Sequence, residues 1–442
     1  MSPALVVLLL AMLLGIQPIT TDLYLPALPA LTTELGASVS QGQLTLTALL
    51  LAFGVSQLFF GPLSDRFGRR PILLTGMAVY TLAALGNTLA PTIEWLVITR
   101  TVQGAAMGAA VMCARAIIRD LYDPAEGTRV MAMSLGGLGV IALLSPLTGG
   151  LLTPWVGWRW AMGVVVVFGL VLWLMVLGRF QETLRQRTSL HPGQLFRNWA
   201  RVARNTSFIA WAGLLAASYG GLFTFLAASS FVFLDVYGVS RPMFGLAMAS
   251  ASLAYIGGTF ICRRLVPRVG LQRAVKYAAF LSLGGGTLMG VLALAGVHTW
   301  WAFLLPQYLF MVGHGIHQPC TQTAAVAPFP HIAGAASALS GFFLTLVAFA
   351  IGAWLGVRID GTVFPLVNGV WFWSAIIAFF AWRSRRNKPV STASKFAWAF
   401  IIAGVSALAM VIAVLTVPSI YTDKVGPVWL FLTYGIFTVS EV

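Results

Sequence analysis

Apolar residues along this chain gather in runs of about 20, broken by short polar or basic clusters, which is the length a helix needs to cross a bilayer. The pattern predicts spans over 4–30, 43–62, 72–90, 94–118, 127–153 and 159–178. It predicts a second set over 206–236, 242–262, 275–296, 300–325, 333–356 and 363–382. Two more apolar stretches follow, at 396–417 and 427–442. The longest polar connection, Arg179 to Thr206, divides the first twelve spans into six and six. The organisation expected is a six-helix bundle at 1–178, a linker at 179–205, a second six-helix bundle at 206–385, a basic linker at 386–395 and an extra two-helix segment at 396–442. The fold class is therefore an all-α membrane protein. The first run, Met1 to Gly15, has the apolar character of a signal peptide but lacks the preceding Lys or Arg, and the pattern runs on through Gln17 and Asp22 toward Pro26. It is read as an uncleaved first span.

Charge orients these spans. With the N terminus cytoplasmic, 22 of the 27 Lys and Arg fall in cytoplasmic connections or helix ends. Only Arg159, Arg241, Arg358 and Lys424 fall on the other side, and Arg100 lies inside a span. That asymmetry sets the expected topology. Composition agrees: 59% of residues are hydrophobic and 9% charged, against about 25% charged in soluble domains. The net charge of +15 is spread over short clusters between apolar runs, with no basic stripe, so the expected partner is the lipid bilayer and no nucleic acid. Cys113, Cys262 and Cys320 are odd in number, lie within or beside apolar runs and lack metal-ligand spacing. They are read as packing residues, and no metal is expected. The spans hold no clustered nucleophile or cofactor site, so no enzyme is expected. Repeated filter-like loops or polar rings are lacking too, which argues against a channel.

Motifs narrow the class. Between the second and third spans the chain reads Gly61-x-Leu63-x-Asp65-Arg66-x-Gly68-Arg69-Arg70. Gly61 permits a close helix neighbour, Gly68 a tight turn, and Asp65 accepts from an arginine or from the free N–H groups of a helix start. A weaker copy, Arg263-Arg264 through Pro267-Arg268, Gly270 and Arg273, occupies the equivalent place in the second half. The first copy resembles the signature of the major facilitator superfamily, and Arg100-x-x-Gln103-Gly104 resembles its buried-arginine motif. Gly139 to Gly150, with Ser145, Pro146, Gly149 and Gly150, resembles the fifth-helix motif of drug/proton antiporters, with Ser145 where Gly is usual. Thr21-Asp22-Leu-Tyr24-Leu-Pro26, Ala114-Arg115 through Arg119-Asp120-Leu-Tyr122, and Ala333-Gly334 through Ser337-Ala338-Leu339 resemble the Bcr/CflA (bicyclomycin/chloramphenicol-resistance) group. That resemblance covers 1–385. Residues 395–442 resemble instead a helix pair of proton-coupled oligopeptide transporters, as in a fusion, with a fourteen-helix exporter as the alternative.

The resemblance implies the major facilitator fold and proton-coupled efflux of small drugs across the bacterial inner membrane by alternating access. It implies a functional monomer, with no cofactor and protons as the coupling ion. Export of a metabolite (amino acid, sugar or nucleoside) and peptide/proton symport remain open beside it. Intramembrane charges are costly and need a reason. Asp22, the acid of the first span, and Arg100, at comparable depth on the fourth, are expected to be neighbours that carry proton coupling; a structural ion pair or a helix-end cap is the other reading of Asp22. Gly61, Asp65, Arg66, Gly68, Arg69 and Arg70 would clamp one conformation. Gln17, Tyr24, Met107, Tyr219, Phe225, Tyr255, His314 and His317 are candidates for a substrate cavity, the histidines sharing one helix face at i,i+3. Gln43 and Gln57 join that set. Arg115 is expected to contact Asp120 or lipid phosphate.

Overall fold

The computed structural model describes residues 3–122, 124–184, 192–297, 299–329 and 332–383. The basic linker at 386–395 and the extra segment at 396–442 lie outside them. The described residues form thirteen helices and no strand. They are α1 (Pro3–Thr21), α2 (Leu28–Glu34), α3 (Val39–Phe67), α4 (Arg69–Thr88), α5 (Ile93–Leu121), α6 (Pro124–Arg179) and α7 (Pro192–Ala203). There follow α8 (Thr206–Ser230), continued by a π turn at Phe231–Val236, α9 (Arg241–Val269), α10 (Leu271–Leu294), α11 (Trp301–Val326), α12 (Ala333–Arg358) and α13 (Phe364–Arg383). Among the described residues, ten stretches are long and apolar enough to cross a membrane.

Two elements depart from the expected pattern, the first span and the 179–205 connection, while the break expected between the fifth and sixth spans falls at Gly157. The first span is not one helix. A proline ring clashes with the carbonyl four residues back and disfavours α geometry before it, so Pro26 ends α1 at Thr21, and a 3₁₀ turn at Leu25–Ala27 leads into α2. Asp22 therefore sits at a break. The fifth and sixth spans are the two limbs of α6, parted at Gly157, whose φ of 79° suits glycine. On the first limb a side chain at Gly137 would meet Ala11 and one at Gly149 would meet Leu23, so this limb runs parallel to α1. On the second, Gly169 lies against Tyr80 and the Trp173 indole donates to the Leu74 carbonyl, so it runs antiparallel to α4. The chain thus reverses at Gly157, flanked by the exposed Trp155 and Trp160 as in the aromatic belt of a membrane interface. Finally, the 179–205 connection contains a helix. In α7 buried Val202 faces inward and the Trp199 ring meets Phe59 edge-on, while Arg197 and Arg201 are exposed.

The repeat read in the sequence has a structural counterpart. Gly68 and Gly270 join successive helices with nearly the same backbone, φ 106° and ψ 156° against φ 80° and ψ 158°. Two antiparallel seams join the first six spans to the second six, and small residues build both. In one, Gly54 of α3 lies against Thr345 of α12, and Gly352 against Thr47. In the other, Gly150 of α6 packs on Gly245 of α9, and Ser252 donates to the Ala142 carbonyl. A cavity lies between these seams.

Candidate functional site

Side chains of both halves line the cavity, which encloses ≈ 960 Å³ of empty space, mouth included. Its walls are largely apolar: Leu25, Leu46, Leu138, Leu222, Phe223, Phe225, Met248 and Met311. The polar exceptions are few. Asp22 is its one carboxylate, and Gln17, Thr21, Tyr219, Ser252, Tyr255, His314 and Gln318 complete the set. Gln17 Nε2 donates to the Tyr219 hydroxyl at 2.7 Å, tying α1 to α8 across the middle of the protein. Tyr255 donates to Gln318 Oε1 at 2.5 Å.

Of the cavity residues expected from sequence, Gln17, Tyr219, Phe225, Tyr255 and His314 line it. The others stand elsewhere. Tyr24 is buried at the break and shares a 2.5 Å hydrogen bond with Thr45. Met107 is wholly buried in the apolar core. His317 lies one helical turn behind His314, bonded to the Val275 carbonyl. Gln43 donates to the Ala227 carbonyl, and Gln57 lies against Gly341 on α12.

The break separates Asp22 from Arg100. Asp22 accepts from the Thr21 hydroxyl at 2.7 Å and faces the cavity. Arg100, 1% exposed, lies behind it. Its Nη1 donates to the Thr20 carbonyl at 3.0 Å, and its guanidinium carbon lies 3.9 Å from the Tyr24 ring centroid. No ion pair joins Asp22 and Arg100 among the described residues. The cause is local: once α1 stops at Thr21, the Thr20 carbonyl has lost its helical donor, and the arginine takes that place. Tyr80 adds a 2.6 Å hydrogen bond with the Thr20 hydroxyl.

The loop signature forms a closed polar knot. Arg69, 1% exposed, meets Asp65 at 2.6 Å, Asp120 at 2.9 Å and the Ser64 hydroxyl at 2.8 Å. Arg119 approaches Asp65 at 3.6 Å. The free N–H groups at the start of α4 do not go to Asp65. Those of Arg69 and Arg70 donate to Glu182, at 2.9 and 3.0 Å. Burial alone would raise the Glu182 carboxyl, but the N–H groups of Leu184, Arg69, Arg70 and Thr183 outweigh it and hold the group below its ordinary value. Glu182 was missed from sequence because nothing local to a polar connection says which distant helix it caps. Arg70 also donates to the Leu177 carbonyl, Arg66 stacks on Phe67, and Gly61 leaves room for Met112. Arg115 does not contact Asp120, which Arg69 holds; it donates to Ser337 of α12 at 2.6 Å.

The fifth-helix motif divides its work between two neighbours. A Cβ on Gly149 would overlap the Leu23 carbonyl at the break, while Gly150 and Pro146 press on Gly245 in the seam. Ser145 returns its hydroxyl to the Ile141 carbonyl at 2.6 Å, so the departure from the usual Gly is absorbed within the helix.

Comparison with known proteins agrees with this geometry. The family model described as Major Facilitator Superfamily matches residues 10–353. The chain is 30% identical over 386 residues to the Uncharacterized MFS-type transporter YdgK of Bacillus subtilis, covering 86% of this chain and 95% of that one. It is 28% identical over 358 residues to the Chloramphenicol resistance protein of Pseudomonas aeruginosa, covering 80% and 83%, which bears out the Bcr/CflA resemblance. Among solved structures, the crystal structure of a D-xylose-proton symporter aligns over 89% of this chain and 99% of that one, with a TM-score of 0.67 at 15% identity, a likeness of fold. The chain belongs to the Major Facilitator Superfamily and is a multi-pass membrane transporter, not an enzyme.

Proposed function

We propose that this protein expels small, largely apolar drugs in exchange for protons, by alternating access across the bacterial cytoplasmic membrane. One observation carries the reading: a single carboxylate, Asp22, stands at a helix break in the wall of an otherwise apolar cavity shared by both halves. A charge there is costly unless it pairs or takes up a proton, so substrate and proton compete for one site. The name of the chloramphenicol resistance relative supports a drug as the cargo. The N terminus is cytoplasmic, on the Lys/Arg asymmetry. The bundles at 1–178 and 206–385 rock about the cavity, and a monomer suffices because the cavity lies within one chain.

A proton moving inward gains about 2.3 kcal/mol per 100 mV, equivalent to about a 50-fold concentration ratio. Asp22→Asn, which cannot carry that proton, is expected to abolish drug resistance in cells. In everted vesicles it is expected to abolish the collapse of a proton gradient on drug addition, with normal amounts of folded protein in the membrane. Unchanged export by Asp22→Asn would sink the reading.

A further inference from the structure

Between 206 and 383 the chain carries two acids, Asp235 and Asp360, and both lie at the outer ends of helices. Beside the paired thiols of Cys262 and Cys320, the membrane-spanning groups of this half able to titrate near neutral pH are, among the described residues, His314 and His317 of α11. Both are buried, as is Ser218 of α8. His317 Nε2 lies 3.2 Å from the Val275 carbonyl of α10. A carbonyl only accepts, so this Nε2 carries a hydrogen and, in the neutral ring, Nδ1 is bare. Ser218 Oγ stands 3.4 Å from that Nδ1 and 2.9 Å from His314 Nδ1. The hydroxyl has one proton to give. Given to His317, it leaves Oγ to accept from His314 Nδ1–H. The result is a directed chain from His314 through Ser218 and His317 to the Val275 carbonyl, and His314 forms its cavity end.

We propose that His314, Ser218 and His317 form a second protonation site in the C-terminal bundle, loaded from the cavity through His314 and holding its proton on His317. Loading conserves every atom. A proton binds His314 Nε2; the Nδ1 proton of His314 passes to Ser218 Oγ; the proton already on Oγ passes to His317 Nδ1. His314 ends neutral in its other tautomer, accepting from Ser218. His317 ends as imidazolium, donating to Ser218 Oγ and to the Val275 carbonyl, so both of its N–H groups remain bonded. The Val275 carbonyl cannot pass a proton on, so discharge returns by the same route, and the site exchanges with whichever side the cavity faces.

The groups around the site suit this role. Tyr219 of α8 and Tyr255 of α9 face the same cavity, the Tyr255 ring 5.6 Å from that of His314. Asp22 of α1 lines the same cavity. On α10, Lys276 follows Val275, and on α12 the sole charged side chain is Arg358, at the far end. The role of this site in transport rests on the proton-coupled reading of the cavity, but its titration can be measured independently.

The test is the imidazole ¹⁵N spectrum of the full chain, histidine-labelled, in lipid nanodiscs, taken from about pH 9 to about pH 5, a range that spans the ordinary imidazole value. His314→Gln and His317→Gln assign two of the five histidines. At high pH, His314 is expected as the Nδ1–H tautomer and His317 as Nε2–H. As pH falls, His317 should lose its bare-nitrogen resonance while His314 changes tautomer in the same step. Ser218→Ala should uncouple the two events, and Ser218→Thr, which keeps the hydroxyl, should restore them. A His317 that stays neutral throughout, or titrates with His314 unchanged, overturns the proposal. Coupled titration in an Asp22→Asn protein that still exports would sink the Asp22 reading alone. Its absence from a protein whose Asp22→Asn variant is inactive would overturn this site alone.

Discussion

Glu182 and Arg100 show how a single side chain can answer a demand that the backbone makes far away in sequence. That Arg100 would be buried was legible, because it stands alone in an apolar run. Its partner was not: the Thr20 carbonyl becomes available only because Pro26 stops α1 early. Glu182 likewise supplies the acceptor for the first two N–H groups of α4, where the helix dipole also favours an anion. Its carboxyl is held below the ordinary value of 4.5. A group depressed on folding contributes stability that is present above its unfolded value and is lost as pH falls through the folded one. Thermal unfolding in detergent should therefore show a contribution from Glu182 that is constant down to about pH 4.5 and fades below it. Glu182→Gln should lower stability by about 1 kcal/mol at pH 7, a small figure because the group is partly solvated, and flatten that acid limb. An acid limb of the same depth in both proteins would refute the capping role.

At the scale of the element, most helices follow from run length, and their ends from ordinary signals. Ser38 and Gln41 form a capping box on α3, and Asn205 caps α8. The failures have a common cause: each is a local backbone event that the apolar run pattern does not record. Run length cannot show that Pro26 stops one helix, nor that α7 folds within a basic connection. Glycine position carries more information than glycine count. Gly149 must stay small because the Leu23 carbonyl occupies its side-chain space, whereas Gly163 of the same helix meets nothing. Gly163→Ala is expected to be neutral or to stabilise by up to about 1 kcal/mol, the helix-propensity difference. Gly149→Ala should cost about 1–3 kcal/mol through overpacking, displace the break that presents Asp22, and abolish export. Equal melting temperatures and equal export for the two variants would remove Gly149 from the site.

For the whole molecule, a transporter must separate its halves at one end while keeping them joined at the other. The polar ties across the halves are suited to this, being placed at different depths. Gln43 reaches the Ala227 carbonyl toward the outer end, Gln17 meets Tyr219 at the cavity, and Arg115 meets Ser337 toward the cytoplasmic end of the proposed topology. The seams between them, of glycine, serine and threonine, bury little side-chain bulk that would resist sliding. Arg115 is the charged member of this set, and a hydrogen bond from a charged donor contributes about 2 kcal/mol. Its loss should shift the balance toward cytoplasmic opening by about 30-fold. The shift is measurable with Ser252→Cys, a position in the cavity wall, and a membrane-impermeant thiol reagent. Arg115→Ala is expected to speed labelling in inside-out vesicles and slow it in right-side-out vesicles, with Arg115→Lys between the two. The native cysteines are buried, and the parent protein lacking Ser252→Cys gives their background. Equal labelling rates of Ser252→Cys with and without Arg115→Ala, from both sides, would show that Arg115 does not hold the cytoplasmic end closed, and that the tie between α5 and α12 serves packing rather than the cycle.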